Sequence, residues 1–236
     1  MMQTIKLFGL NKSDIEEKLA AFKSAGAEFS VTECDYDAEL SISAGESLPK
    51  RAFESLLADI LDLFREFIYA EGGVKLAELA VMLLLHSKNV LSVAESLTGG
   101  ALAASIIEYP GVSACFYEGV VAYDNAAKRA RLGVTEQTLE KYGAVSAECA
   151  REMARGSLTH GCATVALSTT GIAGPGGACP GKPVGTVYIG ISDGRNTEAF
   201  RHSFDGDRNA VRAASVNAAL FYLVKYLRDG MCGLLA

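Results

Sequence analysis

The sequence predicts an α/β protein in two parts. A three-layer α/β/α sandwich with a mixed sheet spans residues 74–236, and a small α+β domain of order β-α-β-β-α precedes it over residues 1–72. Three observations carry this reading. From Val74 onward, stretches with helical spacing alternate with short apolar runs, the pattern of a layered α/β domain. Towards the end the alternation gives way to a hairpin around Asp193-Gly194, a favoured turn dipeptide. The first 72 residues differ in composition, with seven Lys/Arg against fourteen Asp/Glu, whereas the whole 236-residue chain carries only −6. The acidity is therefore confined to the first block.

In the first block, residues 3–8 alternate as a strand does, and residues 12–24 have helical spacing with Asn11 as the cap and Gly26 beyond the end. Residues 28–36 and 38–44 read as two short strands joined at an acidic turn. Residues 51–67 form an amphipathic helix whose stripe is Phe53, Leu56, Leu57, Ile60, Leu61 and Phe64. Tyr69-Ala70-Glu71-Gly72-Gly73 reads as the linker. In the second block a helix over 74–87 precedes an apolar strand at 90–94, and a helix over 101–109 is stopped by Pro110-Gly111. A strand at 114–123 follows, then a short helix at 126–131 and helices at 135–142 and 146–160. Ser146 caps the last of these, with Glu148 in its first turn. Residues 163–168 are a core strand, 184–192 and 197–204 the hairpin, and 208–227 the closing helix. No internal repeat or low-complexity tract is present.

Composition excludes several classes. Half the residues are hydrophobic, so a sizeable core is available and general disorder is excluded. A net charge of −6 argues against neutralising the phosphates of a nucleic acid. The first block also lacks the G-x-x-G that clamps an RNA backbone. The first ten residues do not resemble a signal peptide. The most hydrophobic run, residues 76–85, contains Glu78 and is too short to span a bilayer, so no membrane partner is expected. Six cysteines without a C-x-x-C pair read as reduced, mostly packed thiols of a cytoplasmic protein. The three histidines, His86, His160 and His202, are not at ligand spacing, so no metal site is expected.

Four constellations carry the chemistry. In NVLSVAESLTGG, residues 89–100, a buried strand ends at Glu95-Ser96 and leads through Thr98-Gly99-Gly100 into a helix. Such a turn presents Ser96 away from the sheet. Its glycines let a ligand approach N–H groups at a helix N-terminus, where anions are favoured. The plainer alternative is a turn whose glycines serve geometry alone. In Tyr123-Asp124-Asn125-Ala126-Ala127-Lys128, Tyr123 and Lys128 are placed to converge at a strand-to-helix corner. With histidine so scarce, a Ser–Lys pair is the economical way to activate Ser96, the alternative being a solvated surface lysine. Between Thr169 and Thr186 fall three of the five prolines and six of the 24 glycines. The backbone of this segment, Thr170 and Gly171 included, suits an oxyanion or polar ring substituent. At the start of the last helix, Arg208 can make bidentate bonds to a phosphate or carboxylate, or pair with Asp205 or Asp207 at the surface.

The ordered motifs AESLTGG, GVVAYDNAAKRARLGV, YGAVSAECAREMARG, TTGIAGPGG, KPVGTVYIGI and GDRNAVR resemble the C-terminal domain of the competence/damage-inducible CinA family, also found alone as nicotinamide-nucleotide amidase. Residues 1–72 are similar to the small KH-like middle domain of longer CinA proteins, and the molybdopterin-binding-like domain of those proteins has no counterpart here. Leu97 stands where the family commonly has cysteine, and Thr170 where some members have serine. The resemblance implies hydrolysis of the carboxamide of nicotinamide mononucleotide, without a cofactor, by a homo-oligomer (a dimer). It implies Ser96 as nucleophile, Lys128 as its base and Tyr123 as a hydrogen-bonding partner. Thr98, Gly99, Thr170 and Gly171 would hold the amide or oxyanion, and Arg208 the phosphate or the reacting end. Two other classes stay open: a nucleotide-binding module without catalysis, and an interaction protein of DNA uptake or damage response.

Overall fold

The computed structural model describes residues 1–159 and 161–234, and the chain divides into two compact units, Met1–Lys75 and Leu76–Ala236. In the first unit, strand β1 (Met2–Phe8) leads to helix α1 (Lys12–Lys18), which continues as a 3-10 turn, Leu19–Phe22. Asn11 starts α1 with a full capping box: its Oδ1 accepts from Asp14 N at 2.9 Å while Asp14 accepts from Asn11 N at 3.2 Å. Strands β2 (Ala27–Cys34) and β3 (Asp37–Ala44) form a tight hairpin in which Asp35 and Tyr36 both take positive φ, 52° and 64°. Helix α2 (Lys50–Leu63) follows, and the unit closes with strand β4 (Ile68–Glu71).

That last strand corrects the sequence reading, which makes residues 69–73 a linker. Ile68–Glu71 instead pairs antiparallel with β1, giving a four-stranded sheet of order β2-β3-β1-β4. Tyr69 is buried, and its hydroxyl donates to Asp37 at 2.7 Å. One face of the sheet and both helices enclose a single core that includes Ile5, Leu7, Leu40, Ile42, Ile15, Phe53, Ile60 and Phe64. The apolar stripe read from the sequence of α2 is the face that fills it.

The second unit runs α3 (Leu76–Ser87), β5 (Leu91–Glu95), α4 (Ala101–Ile107), β6 (Phe116–Val121), α5 (Asn125–Leu132), α6 (Glu136–Lys141), α7 (Ala147–Gly156), β7 (Val165–Gly171), β8 (Thr186–Ser192), β9 (Thr197–Ser203) and α8 (Arg208–Leu234). The sequence spacing carries α7 on to His160, which lies outside the described residues. Gly230, at φ 68°, breaks the regular path of α8 near its end. The sheet order is β6-β5-β7-β8-β9, with β6, β5 and β7 parallel and β8 and β9 antiparallel. It is the mixed sheet the hairpin predicts. Helices α3, α4 and α8 pack together on one face, and α5, α6 and α7 on the other, so three layers result. Strand β5 is buried along its whole length, as a parallel strand covered on both faces must be.

This topology locates a crevice. Strands β5 and β6 are neighbours, but α4 leaves β5 on one face of the sheet and α5 to α7 leave β6 on the other. Connections that depart to opposite faces leave a gap outside the strands' carboxyl ends, where open α/β sheets bind ligands. Among the described residues no helix is long and apolar enough to cross a membrane. The cysteines depart from expectation. Among the described side chains, Cys34, Cys162 and Cys179 are exposed, Cys115 and Cys149 are buried, and these five are free thiols.

Candidate active site

Ser96 is the first residue beyond β5. Its N–H continues the ladder to Thr169 O at 2.9 Å, and its carbonyl accepts from Gly99 N at 3.2 Å, closing a tight turn. Gly99 and Gly100 take φ of 60° and 95°, the left-handed region that favours glycine. Residue Glu95 decides what the turn can bind. Its fully buried carboxylate accepts from Gly100 N at 2.8 Å, Leu102 N at 3.1 Å and Ala103 N at 2.8 Å. The helix N-terminus that the sequence offers to an anion is therefore filled by the chain's own carboxylate, which satisfies the orphan donors of α4. The turn is clamped from the far side by Arg212, which donates to Leu97 O at 3.2 Å and Thr98 O at 2.8 Å.

Helix α5 begins at the end of β6, capped by Asp124, whose Oδ1 accepts from Ala126 N at 2.7 Å. One turn in, Lys128 points inward. It is 1% exposed, which excludes the solvated lysine of the plainer reading. Its Nζ donates to Tyr123 O at 2.8 Å, and among the described residues no carboxylate forms an ion pair with it. Burial holds the Lys128 ammonium below its ordinary pKa, opposed in part by Cys149, Asp124 and Tyr123. The neighbouring Cys149 is also buried, which pushes its thiol up to about 11. A thiol that weakly acidic carries little thiolate at neutral pH and does not compete as a nucleophile.

Thr170 and Gly171 end β7. Thr170 Oγ1 donates to Ala144 O at 2.7 Å, tying β7 to the loop before α7. A Cβ at Gly171 would lie 2.8 Å from Thr186 O, so only glycine fits against β8 there. Arg208, at the start of α8, donates to Gly174 O at 2.8 Å and reaches the Tyr123 hydroxyl at 3.4 Å. The surface alternative for Arg208 is not the arrangement adopted. Asp207 instead caps α8, accepting from Asn209 N and Ala210 N at 2.8 and 2.9 Å.

Six of the residues singled out from the sequence line one cavity of about 190 Å³: Ser96, Tyr123, Lys128, Thr170, Gly171 and Arg208. Thr98 and Gly99 do not line it. Thr98 is fully buried with its hydroxyl 2.7 Å from that of Thr169, so its side chain ties the turn after β5 to β7. Leu97, Asn125, Ala144, Val145 and Ala173 complete the wall. Ser96, 8% exposed, makes no side-chain hydrogen bond among the described residues, and neither does the backbone N–H of Leu97. Ser96 and Lys128 thus share a cavity without a direct bond between them, a looseness common in sites without ligand. Among the described residues no group of three or more His, Cys, Asp and Glu could hold a metal ion.

The fold and cavity define an open, mixed α/β sheet with an uncommitted serine and a buried lysine outside its parallel strands. A family model described as the CinA C-terminal domain matches residues 74–227, and the chain belongs to that family. A protein named as competence-damage inducible from Caldicellulosiruptor saccharolyticus is 39% identical over 233 residues, covering 94% of this chain and 56% of that protein. A CinA-like protein of Thermotoga maritima is 44% identical over 179 residues, 76% of this chain and 44% of that one. The chain thus spans about half the length of the curated relatives it matches. Among solved structures, the competence damage-inducible protein A of Klebsiella pneumoniae subsp. pneumoniae superimposes with a TM-score of 0.63 at 36% identity, over 66% of this chain and 99% of that one. A competence/damage inducible protein of Agrobacterium tumefaciens gives 0.61 at 38% identity, over 64% and 95%.

Proposed function

We propose that the cavity hydrolyses the carboxamide of nicotinamide mononucleotide to nicotinic acid mononucleotide and ammonia, with Ser96 as nucleophile and Lys128 as base. The observation that carries this is a serine hydroxyl and a buried lysine lining one cavity: among the described residues the hydroxyl makes no hydrogen bond and the amine no ion pair with a carboxylate. A lysine is a base only when neutral, and burial is the force that makes it so. On substrate binding, neutral Lys128 takes the Ser96 proton as Oγ attacks the carboxamide carbon. The tetrahedral oxyanion needs preorganised donors, and the Leu97 N–H, next to the nucleophile and free of other bonds, suits that role. Lys128 then returns its proton to the leaving amine, and water repeats the sequence on the acyl-serine.

The cavity is smaller than the usual pocket for a whole drug-sized ligand, roughly 300–1,000 Å³. It therefore takes the carboxamide end, while the ribose phosphate extends past exposed Arg208, whose planar fork matches a phosphate. The proposal extends to a role in pyridine nucleotide recycling, to a cytoplasmic homodimer and to a KH-like identity for the acidic first unit. Incubation with nicotinamide mononucleotide tests the reaction. Ammonia release by the wild type and none by Ser96→Ala supports it, whereas binding without turnover in both favours a nucleotide-binding module.

A further inference from the structure

Asn125 is part of the cavity wall, but no step above uses it. It occupies the first position of α5, one residue past the cap, where asparagine has no capping role of its own. The cap is Asp124, accepting from Ala126 N at 2.7 Å. The Asn125 side chain makes no hydrogen bond among the described residues. The other polar side chains around it are committed: Lys128 Nζ to Tyr123 O, Thr170 Oγ1 to Ala144 O, and Arg208 to Gly174 O and the Tyr123 hydroxyl. Among the described residues, the polar side chains of this lining that make no hydrogen bond are those of Ser96 and the exposed Asn125. One is the nucleophile of the proposed reaction, and the other is a neutral group that both donates and accepts.

We propose that Asn125 is a specificity-determining residue that reads the carboxamide, its Oδ1 accepting an N–H of the substrate's amide nitrogen; this rests on the amidase reading. A carboxamide offers two donors and one acceptor, whereas the carboxylate it becomes offers acceptors only. Asn125 Oδ1 therefore has a partner before hydrolysis and loses it afterwards. The arrangement also turns the amide nitrogen towards Lys128, one helical turn along α5, which protonates it on departure.

Three proteins separate the possibilities: wild type, Asn125→Ala and Asn125→Asp, each assayed for KM, kcat and inhibition by the acid product. Asn125→Ala is expected to raise KM for the amide about three- to tenfold, the worth of one neutral hydrogen bond. Asn125→Asp keeps the acceptor, so its KM stays within about twofold of the wild type, while its carboxylate repels the product and weakens product inhibition. A KM for Asn125→Ala within twofold of the wild type overturns the assignment and leaves the amidase reading intact. Equal KM losses in Ala and Asp also overturn it, since they mark a structural role. A wild type that releases no ammonia overturns the amidase reading, and this inference with it.

Discussion

Replacing Lys128 with methionine keeps most of the side-chain volume and removes the amine. Two opposed effects on stability follow from the structure. Burial lowers the folded pKa of Lys128 below its unfolded value of about 10.4, and each unit of lowering costs about 1.4 kcal/mol when the group is protonated. That cost is full below the folded pKa and disappears as pH rises towards the unfolded one, because the unfolded chain then binds more protons. Methionine abolishes the cost but also removes the bond from Nζ to Tyr123 O, worth about 1.5–3 kcal/mol when the donor is charged. The net change at neutral pH is expected within about 2 kcal/mol, so the fold survives. Turnover, by contrast, should fall at least about a hundredfold, the usual scale for a general base. Urea denaturation of both proteins between pH 7 and 10 provides the second reading: the wild type gains stability relative to Lys128→Met as pH rises. Turnover of Lys128→Met within tenfold of the wild type refutes the base assignment. A stability gap that does not change with pH refutes the argument from burial.

Lys128→Arg, permanently charged, is expected to lose kcat as severely as methionine, and wild-type kcat should rise with pH to a plateau below the ordinary lysine value; a flat profile contradicts this. Glu95→Ala strips three N–H groups of their acceptor and should cost about 2–4 kcal/mol in urea denaturation, with Glu95→Gln losing about half as much. Gly156→Ala places a Cβ 1.9 Å from Leu132 O, where α7 crosses the end of α5, and should cost about 1–3 kcal/mol by overpacking. Activity should persist in EDTA, and loss reversed by a divalent ion would count against a serine mechanism.

Much of the fold is legible in the sequence because its signals are local. The Asn11 and Ser146 caps, the Asp193-Gly194 turn and the stripe of α2 each specify an element without help from the rest of the chain. Strand β4 is not legible: four residues beside two glycines are too few to show a period, and its evidence is a partner, β1, more than 60 residues away. The same limit applies at the site. Ser96 and Lys128 stand out by their types and neighbours, but the burial of Lys128 depends on α7 and Cys149, while α5 itself, NAAKRARL, reads as polar. Glu95 looks like the end of a strand until α4 folds back over its carboxylate. Arg212 reads as one more arginine of a long helix until its guanidinium meets Leu97 and Thr98. Asn125, one residue past the Asp124 cap, carries no signal in the sequence that separates it from an ordinary exposed polar residue.

The most direct test of the central claim follows ammonia and nicotinic acid mononucleotide over time from nicotinamide mononucleotide, with the wild type and Ser96→Ala side by side at equal concentration. The account predicts equimolar products from the wild type and none above background from Ser96→Ala, with both proteins equally folded. Equal rates from the two proteins would contradict it.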